Sequence, residues 1–498
     1  MKLTGFLSNC SLAVLTLGLP GCAVGPNFHF PAAPDVPLTP TPLPAATAAA
    51  SGRAQTLEVG ADIPGDWWAL YHSPQLNALI AAALAHNPSL TAAQATLVQA
   101  EENTRAEQGA LLPSVSGSAS VQRDQNSSAE LAMFGGSGAT SIPPYTLYNT
   151  SIPVSYTLDL FGGTRRQVES LAAQAEYQRY ELEASYLTLT SNIVTAAVQE
   201  ASLRAQIDAT NQVIAADQKI LAILQTQVKL GGVPQAQVFQ QLSVVAQAQA
   251  TLPPLQSQLV QAHNQLAAYA GAFPGNFHEA GFSLADLQLP QNVPVSLPSA
   301  IVAQRPDIRA AAAQLHEASA NLGVADANML PQVTLSAEVG YEALTTGTLF
   351  TPQSLLWSLA ASATQPIFEG GALSAKRKAA VAALKGAGAQ YQSTVISAFQ
   401  NVADELAALQ YDATALQAAD AARDAAAQSL SVTEAQYRLG GQPFTAVLNA
   451  ETTYENAVLA QVKAEAARLT DTAALYQALG GGWWHRQDVA VKCCGVIP

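Results

Sequence analysis

Charge is scarce in this chain. Only 12% of its 498 residues are charged, about half the share of ordinary soluble domains. Basic side chains are scarcer still: 22 Lys and Arg stand against 36 Asp and Glu, a net charge of −14. That balance excludes nucleic acid as a partner, because phosphate backbones need a basic footprint. Aromatic residues make up 6% against a hydrophobic share of 49% carried largely by alanine. Small side chains packing helix on helix fit this better than one large aromatic core. No segment has the ~20 uninterrupted apolar residues of a transmembrane helix, so any membrane span here is made of strands. The histidines (29, 72, 86, 263, 278, 316, 485) lack ligand spacing. No nucleophile motif or phosphate-binding loop appears, and the Gly-Gly pairs have no lysine at Walker spacing. An enzyme, a cofactor and a metal site are therefore not expected. The four cysteines are Cys10, Cys22 and the vicinal pair Cys493-Cys494, which is too close for an easy bridge.

What is present is written twice. Asn87-Pro88 opens a helix-like stretch that ends at Leu111-Leu112-Pro113, and Arg305-Pro306 opens another that ends at Met329-Leu330-Pro331. Both prolines are displaced by 218 residues. Each copy continues through two strand-like segments to a glycine stop, Phe161-Gly162-Gly163 or Phe368-Glu369-Gly370-Gly371. A long gap-free stretch then leads to a second Gly-Gly, at Gly231-Gly232 or Gly440-Gly441, over intervals of 69 and 70 residues. A unit of about 200 residues is too long for a solenoid repeat and reads as a duplication.

Between Thr164 and Lys229 there is no proline or glycine, and 66 such residues span roughly 99 Å as a helix. Apolar residues recur at 4-3 spacing (Leu182, Tyr186, Leu189, Ile193, Ala196, Leu203, Ile207, Ile214, Leu221, Leu224, Val228), which argues for a coiled coil. Glu200, Thr210 and Asp217 fall on the same stripe as polar exceptions. The second copy repeats the pattern from Val395 to Tyr437, interrupted by Asp420, Arg423 and Glu434. For these three a solvated coiled-coil face is the expectation. Each long helix turns at its Gly-Gly into an antiparallel partner, about 235–269 and 444–479. Pro253-Pro254 predicts a kink or break in the first partner.

Strands are expected at about 114–122, 149–159, 332–341 and 356–366. Val115, Gly117, Ala119, Val121 and Val333, Leu335, Ala337, Val339 alternate with polar residues. Lengths of this order suit tilted transmembrane strands. The glycine-rich connection Phe134-Gly135-Gly136-Ser137-Gly138 would face outside. Four strands cannot close a barrel, and bare edges are not tolerated in lipid. Closure must be shared between chains, and three chains would supply 12 strands, an even number of the bacterial kind.

The N-terminus reads as a secretory signal over 1–21. It ends in Leu19-Pro20-Gly21-Cys22, which resembles the lipobox of bacterial lipoproteins and would make Cys22 the acylated first residue. An ordinary signal peptide with an incidental cysteine is the other reading. Ala23, where an aspartate would argue for inner-membrane retention, favours the outer membrane. A Pro/Ala/Thr-rich linker occupies residues 31–50, semi-extended and poor in core formers. The remaining boundaries are 22–60 for anchor and linker, 61–275 for the first repeat and 276–297 for a linker. The second repeat takes 298–482 and a tail 483–498.

Several motifs, in order, carry a resemblance. They are Asp66-Trp67-Trp68 with Leu76-Asn77-Ala78-Leu79, Asn87-Pro88-Ser89-Leu90, and Tyr156-Thr157-Leu158-Asp159-Leu160-Phe161-Gly162. Thr251-Leu252-Pro253-Pro254-Leu255, Gln304-Arg305-Pro306-Asp307-Ile308-Arg309, Asn328-Met329-Leu330-Pro331 and Gln365-Pro366-Ile367-Phe368-Glu369-Gly370-Gly371 complete the set. With them the chain resembles the outer-membrane factors of Gram-negative bacteria, the TolC-like export ducts, and most closely their NodT-type lipoprotein branch, over about residues 57–482.

The resemblance implies an α+β membrane protein. Two helix–strand–strand–long-helix–helix repeats per chain would form a homotrimer with a 12-stranded β-barrel in outer-membrane lipid and a long periplasmic α-helical barrel. An equatorial belt would take residues near 57–75 and 275–300 and the C-terminal end, with Trp67 and Trp68 in its core. Such ducts are passive: an inner-membrane pump supplies energy, and a periplasmic adaptor (membrane fusion protein) docks on the helical tips. Here the tips are Leu230, Gly231, Gly232, Val233 and Leu439, Gly440, Gly441, Gln442, where glycine permits the tight reversal. The periplasmic gate positions of relatives fall on Gln237, Thr445, Ala446 and Asn449: Ala446, Asn449 and Gln237 stand neutral where the family carries acidic residues, and Thr445 replaces an apolar constriction residue. A pump of the resistance–nodulation–division (RND) class exporting small toxic compounds is expected. A type I (ABC) system is the alternative, and a soluble coiled-coil scaffold is the reading outside transport.

Overall fold

A computed structural model describes residues 23–39, 42–125, 143–278 and 281–486. The signal segment, Cys10, Cys22, the Phe134–Gly138 connection, Cys493 and Cys494 lie outside the described residues. The chain divides into two compact units, one of segments 1–29, 102–173 and 316–385, the other of segments 30–101, 174–315 and 386–498.

The first unit is built on an antiparallel sheet. Its strands are β2 (Ser114–Val115), β3 (Ser118–Asp124), β4 (Tyr145–Leu158), β6 (Gln332–Ala343) and β7 (Leu355–Thr364). The order is β2/β3, β4, β6, β7, with β2 and β3 both on β4. The strand expected over 114–122 is thus two pieces in one register: Val115 faces Val154 and Ser118 faces Ser151. The cause is Pro153. It accepts a hydrogen bond from Ser116 N at 3.1 Å, but without an N–H it returns none, so the ladder is interrupted there. β4 starts four residues earlier than expected, at Tyr145.

In this unit the N-terminal strap runs against the strand-to-helix turn. Val24 N donates to Phe161 O at 3.0 Å. Arg166 reaches Val24 O at 3.1 Å and Asn27 Oδ1 at 2.7 Å.

The second unit is helical, with α1 (Pro74–His86), most of α2 (Pro88–Gln108), α4 (Gln235–Tyr269), α5 (Pro298–Gln304) and α8 (Phe444–Ala478). It also takes part of α6 (Pro306–Ala327) and most of the long helices α3 (Gly163–Lys229) and α7 (Ala372–Arg438). The start signals are local. Pro74 stands at the first position of α1 behind Ser73, whose hydroxyl accepts from Leu76 N. Asn87 Oδ1 accepts from Ser89 N at 2.8 Å and Leu90 N at 3.3 Å ahead of Pro88, so Asn-Pro is a cap followed by a residue preset for a helix.

The duplication is exact in length: α3 and α7 have 67 residues each, α4 and α8 have 35 each. Corresponding starts, 163 and 372 or 235 and 444, are offset by the same 209 residues.

Two expectations meet the structure here. Of the kink or break expected at Pro253-Pro254, the break does not occur, since α4 runs through both prolines as one element. The carbonyls that lose a donor, those of Gln249 and Ala250, belong to exposed residues, where water can replace the missing bonds. The 31–50 linker is also less solvated than its composition implies. Thr47 and Ala50 are buried, and buried Arg468 donates to Thr47 Oγ1 at 3.1 Å and Gln55 Oε1 at 3.2 Å.

The segments expected to form a belt do meet. β1 (Thr56–Val59) pairs in parallel with β5 (Asn292–Val295). Trp67 is fully buried and stacks on Tyr476 at 5.3 Å, with the neighbouring Tyr71 hydroxyl on Leu469 O at 2.8 Å. Trp483 Nε1 donates to Gln304 O at 2.6 Å. Trp67 is a core residue; Trp68 is partly buried against the same cluster.

Candidate functional site: a two-faced sheet and two helical tips

Register sorts the sheet into two chemistries. Trp357 faces Val339 across β7 and β6, and Val339 faces Ile152 across β6 and β4. The next row on that face is Leu359, Ala337, Val154, Val115. The opposite face carries rows such as Ser358, Glu338, Pro153 and Ala360, Ser336, Ser155, Ser114. Among the described residues nothing covers the apolar face: Trp357 and Leu359 are 75% and 77% exposed. An uncovered apolar face backed by a polar one is the strand pattern of a membrane barrel wall, lipid outside and water inside. β3 and β7 each pair on one side only, leaving two edges for other strands.

The helical tips are two copies of one turn. At the first, Gly231 N donates to Val228 O at 3.0 Å and Gly232 N to Gln227 O at 2.8 Å. At the second, Gly440 N donates to Tyr437 O at 2.9 Å and Gly441 N to Gln436 O at 2.8 Å. This is the Schellman pattern, which needs a left-handed residue after the helix, and Gly231 (φ +73°) and Gly440 (φ +76°) supply it. Leu230 and Leu439 are 81% and 88% exposed; a leucine at each turn is thus presented rather than packed.

The two tips are brought together. Leu224 and Val238 of one hairpin pack with Phe444 and Val447 of the other, and Val233 and Tyr437 close the cluster. A cavity of about 780 Å³ between them is lined by Leu230, Gly232, Val233, Gly440 and Phe444.

The gate candidates fall on the other side of α8. Thr445 and Asn449 are exposed and Ala446 is half-buried, while Val447 between them faces the cluster. Gln237 is half-buried on α4, and its Oε1 receives no hydrogen bond from the protein. Asp420 accepts from Ser51 Oγ of the N-terminal segment at 2.9 Å, whereas Arg423 and Glu434 have local partners, Asp424 at 2.8 Å and Arg438 at 3.1 Å.

A group that the sequence reading missed lies just behind the tips. The polar exceptions on the α3 stripe are all buried, but they differ in what they meet. Glu200 has a cationic partner in Arg204 at 2.9 Å, with the His263 ring at 3.4 Å. Thr210 returns its hydroxyl to Gln206 O. Asp217, fully buried, receives only the Gln241 amide at 2.7 Å and faces the carboxyl of Glu451. Burial, with the charge and hydrogen bond of Asp217, pushes Glu451 up to about 8. Burial and the same aspartate raise Glu455 to about 7. The signal was available: Glu451 stands seven residues after Phe444 and four after Val447, on the buried stripe of α8.

Comparison with known proteins agrees with this architecture. The chain belongs to the outer membrane efflux protein family, whose profile matches residues 79–272 and 297–481, one match for each repeat. Among curated relatives it is similar to the pyoverdine export outer membrane protein OpmQ of Pseudomonas putida, 28% identical over 89% of this chain and 94% of that one. It is also similar to the toluene efflux pump outer membrane protein TtgC of Pseudomonas putida, 29% identical over 96% of each. Among solved structures it matches the outer-membrane channel OprN (TM-score 0.83, 24% identity, 93% of this chain and 100% of that one). It also matches the open state of the Neisseria gonorrhoeae MtrE outer membrane channel (TM-score 0.80, 27% identity, 93% and 99%).

Proposed function

We propose that three copies of this chain close a 12-stranded barrel in the outer membrane and continue it inward as a helical barrel. It acts as the passive exit duct of a tripartite efflux system. The carrying observation is the two-faced, open-edged sheet: four strands per chain leave both edges bare, and a threefold set closes them with an even strand number. The names of the relatives, which export pyoverdine and toluene, support small molecules as cargo. No step in this role needs bond chemistry, so no catalytic residue or cofactor is assigned.

The tips Leu230–Val233 and Leu439–Gln442 receive a periplasmic adaptor that links the duct to an RND pump. An exposed leucine beside two glycines on each tip lets a partner approach the backbone closely. Gln237, Thr445, Ala446 and Asn449 line the narrow end. Cys22 carries the lipid anchor. Its described neighbours support this, because residues 23–27 are fastened to the turn that ends β4, where a barrel strand would leave the membrane.

The test is in-cell photo-crosslinking from a probe at Gln442, with mass spectrometry of the captured protein. Capture of an adaptor encoded with an RND pump is expected. An adaptor of an ABC exporter would move the reading to type I export. Absence of any adaptor would sink the tip assignment.

A further inference from the structure

We propose that Asp217, Glu451 and Glu455 form a proton-dependent latch that holds the two helical hairpins together behind the tips. The proposal rests on the duct reading, in which parting of the hairpins opens the narrow end, and it adds what controls the parting.

The argument starts from a donor count. Asp217 belongs to α3 of the first hairpin; Glu451 and Glu455 belong to α8 of the second. Asp217 is 0% exposed and Glu451 5%. Asp217 Oδ2, Glu451 Oε2 and Glu455 Oε1 receive no hydrogen bond from any protein donor. Two acceptors facing each other without a protein donor are satisfied directly when a proton lies between them, and buried like charges at this range are strongly unfavourable.

The other elements do not relieve this. α4 contributes the neutral amide of Gln241, which is already committed to Asp217 Oδ1 and to the Asp217 carbonyl. α7 contributes Glu434, whose charge adds to the repulsion; the nearest cation on that helix, Arg438, is tied to Glu434 at 3.1 Å. α8 adds Glu455 itself. The cavity of about 250 Å³ beside the group is lined by Glu434, Glu451 and Glu455, by the neutral polar side chains of Thr210, Gln212, Thr251, Tyr454 and Asn456, and by apolar side chains; no Lys or Arg is among them.

Protonated, Glu451 donates to Asp217 and ties hairpin to hairpin. Ionised, it repels Asp217 and Glu455 repels both. Separation of the hairpins then relieves the repulsion by admitting water. Higher pH therefore favours parting, and the direction agrees with the raised ionisation of Glu451 and Glu455.

The duplication shows that the device is particular to one half. At the 209-residue offset, the counterpart of Asp217 is Ala426, that of Glu451 is Leu242 and that of Gln241 is Ala450. The latch is one-sided, joining α3 of the first repeat to α8 of the second.

Two readouts on full-length trimers test it. Spin labels at Ala222→Cys and Ser429→Cys, with Cys493 and Cys494 replaced, Cys22 kept and labelled protomers diluted among unlabelled ones, report hairpin separation. Planar-bilayer conductance reports the duct. Between about pH 6 and pH 9 the parted population should rise, by up to about tenfold per pH unit while one proton is lost. Glu451→Gln and, as a second variant, Asp217→Asn should flatten the response. A separation that does not change with pH, or variants that respond like the parent, overturns the latch. A pH-dependent separation without any conductance would leave the latch standing and defeat the duct. Conductance without pH-dependent separation would do the reverse.

Discussion

Arg166, its side chain only 5% exposed, donates to Asn27 Oδ1 at 2.7 Å and so ties the N-terminal strap to the start of the long helix α3. The same guanidinium reaches Val24 O and Gly25 O and pairs with Glu169 at 2.7 Å. Gly162 makes room for the strap: a methyl there would lie 2.6 Å from Ala23, and its φ of +78° already disfavours a side chain.

Replacing Arg166 by Ala is therefore expected to free residues 23–27 while leaving the fold in place. Hydrogen bonds to a charged group contribute about 1.5–3 kcal/mol, and because Gly25 and Asn27 are exposed and Val24 and Glu169 half-buried, the loss should lie at the lower end. Hydrogen exchange at Val24, whose amide is bonded to Phe161 O, reads the release directly. Unchanged protection of that amide would show that the strap is held elsewhere.

The apolar sheet face gives a second expectation. Trp357 and Leu359 point the same way as Val339 and Ala337, whereas Ser358 points the other way. Lysine at Leu359 should cost about 2–4 kcal/mol if the site lies near the bilayer midplane, and lysine at Ser358 much less. Urea unfolding of the two variants from lipid vesicles separates them. Equal costs would mean that the faces have been assigned wrongly.

The same carboxyls that build the latch set a pH dependence of stability. Asp217, Glu451 and Glu455 are all raised in the folded chain. Asp412 is raised to about 7 by burial, with the hydrogen bond and charge of Asp471. A folded state that holds protons the unfolded chain has released is favoured at low pH. The stabilisation is full below the ordinary carboxyl range and is lost as pH rises through about 7–8. The melting temperature of the trimer should fall from about pH 5 to pH 9, and Glu451→Gln should shallow that slope. A melting temperature that climbs over the interval would contradict the sign.

How much of this was legible in the sequence follows the physics of each element. The long helices were, because an uninterrupted heptad stripe and a Gly-Gly stop are local signals: the gap-free stretch from Thr164 to Lys229 lies within α3, Gly163–Lys229. The strand faces were legible through alternation, but their ends were not. The interruption at Ser116 depends on Pro153, which is 37 residues away in sequence and opposite only once the strands pair. Whether Pro253-Pro254 ends its helix was not legible, because the penalty for a helical proline depends on whether the stranded carbonyls reach water, and exposure is a property of the packed bundle. The buried carboxyls were half legible. Asp217 stood out on its stripe, but its partner is known only when α3 and α8 are side by side.

The gate supplies the last expectation. In a narrow pore a ring of carboxylates favours cations and binds divalent ions, but Ala446 and Asn449, the proposed gate positions, bring no charge. Asn449 is exposed on α8 and uses its carbonyl for Thr453 at 2.8 Å, so its amide side chain is free of the helix backbone. Divalent cations added to the periplasmic side should therefore block conductance only weakly. Asn449→Asp would place three carboxylates around the axis of a trimer and should lower the half-blocking concentration by about tenfold, equivalent to about 1.4 kcal/mol. The comparison belongs below about pH 7, where the protonated Glu451 keeps the hairpins together and the ring narrow. Strong block of the parent protein that disappears in Asn449→Ala would mean that the amide itself coordinates the ion. Closure would then rest on a polar ring rather than on the apolar packing of Phe444 and Val447 against Leu224 and Val238.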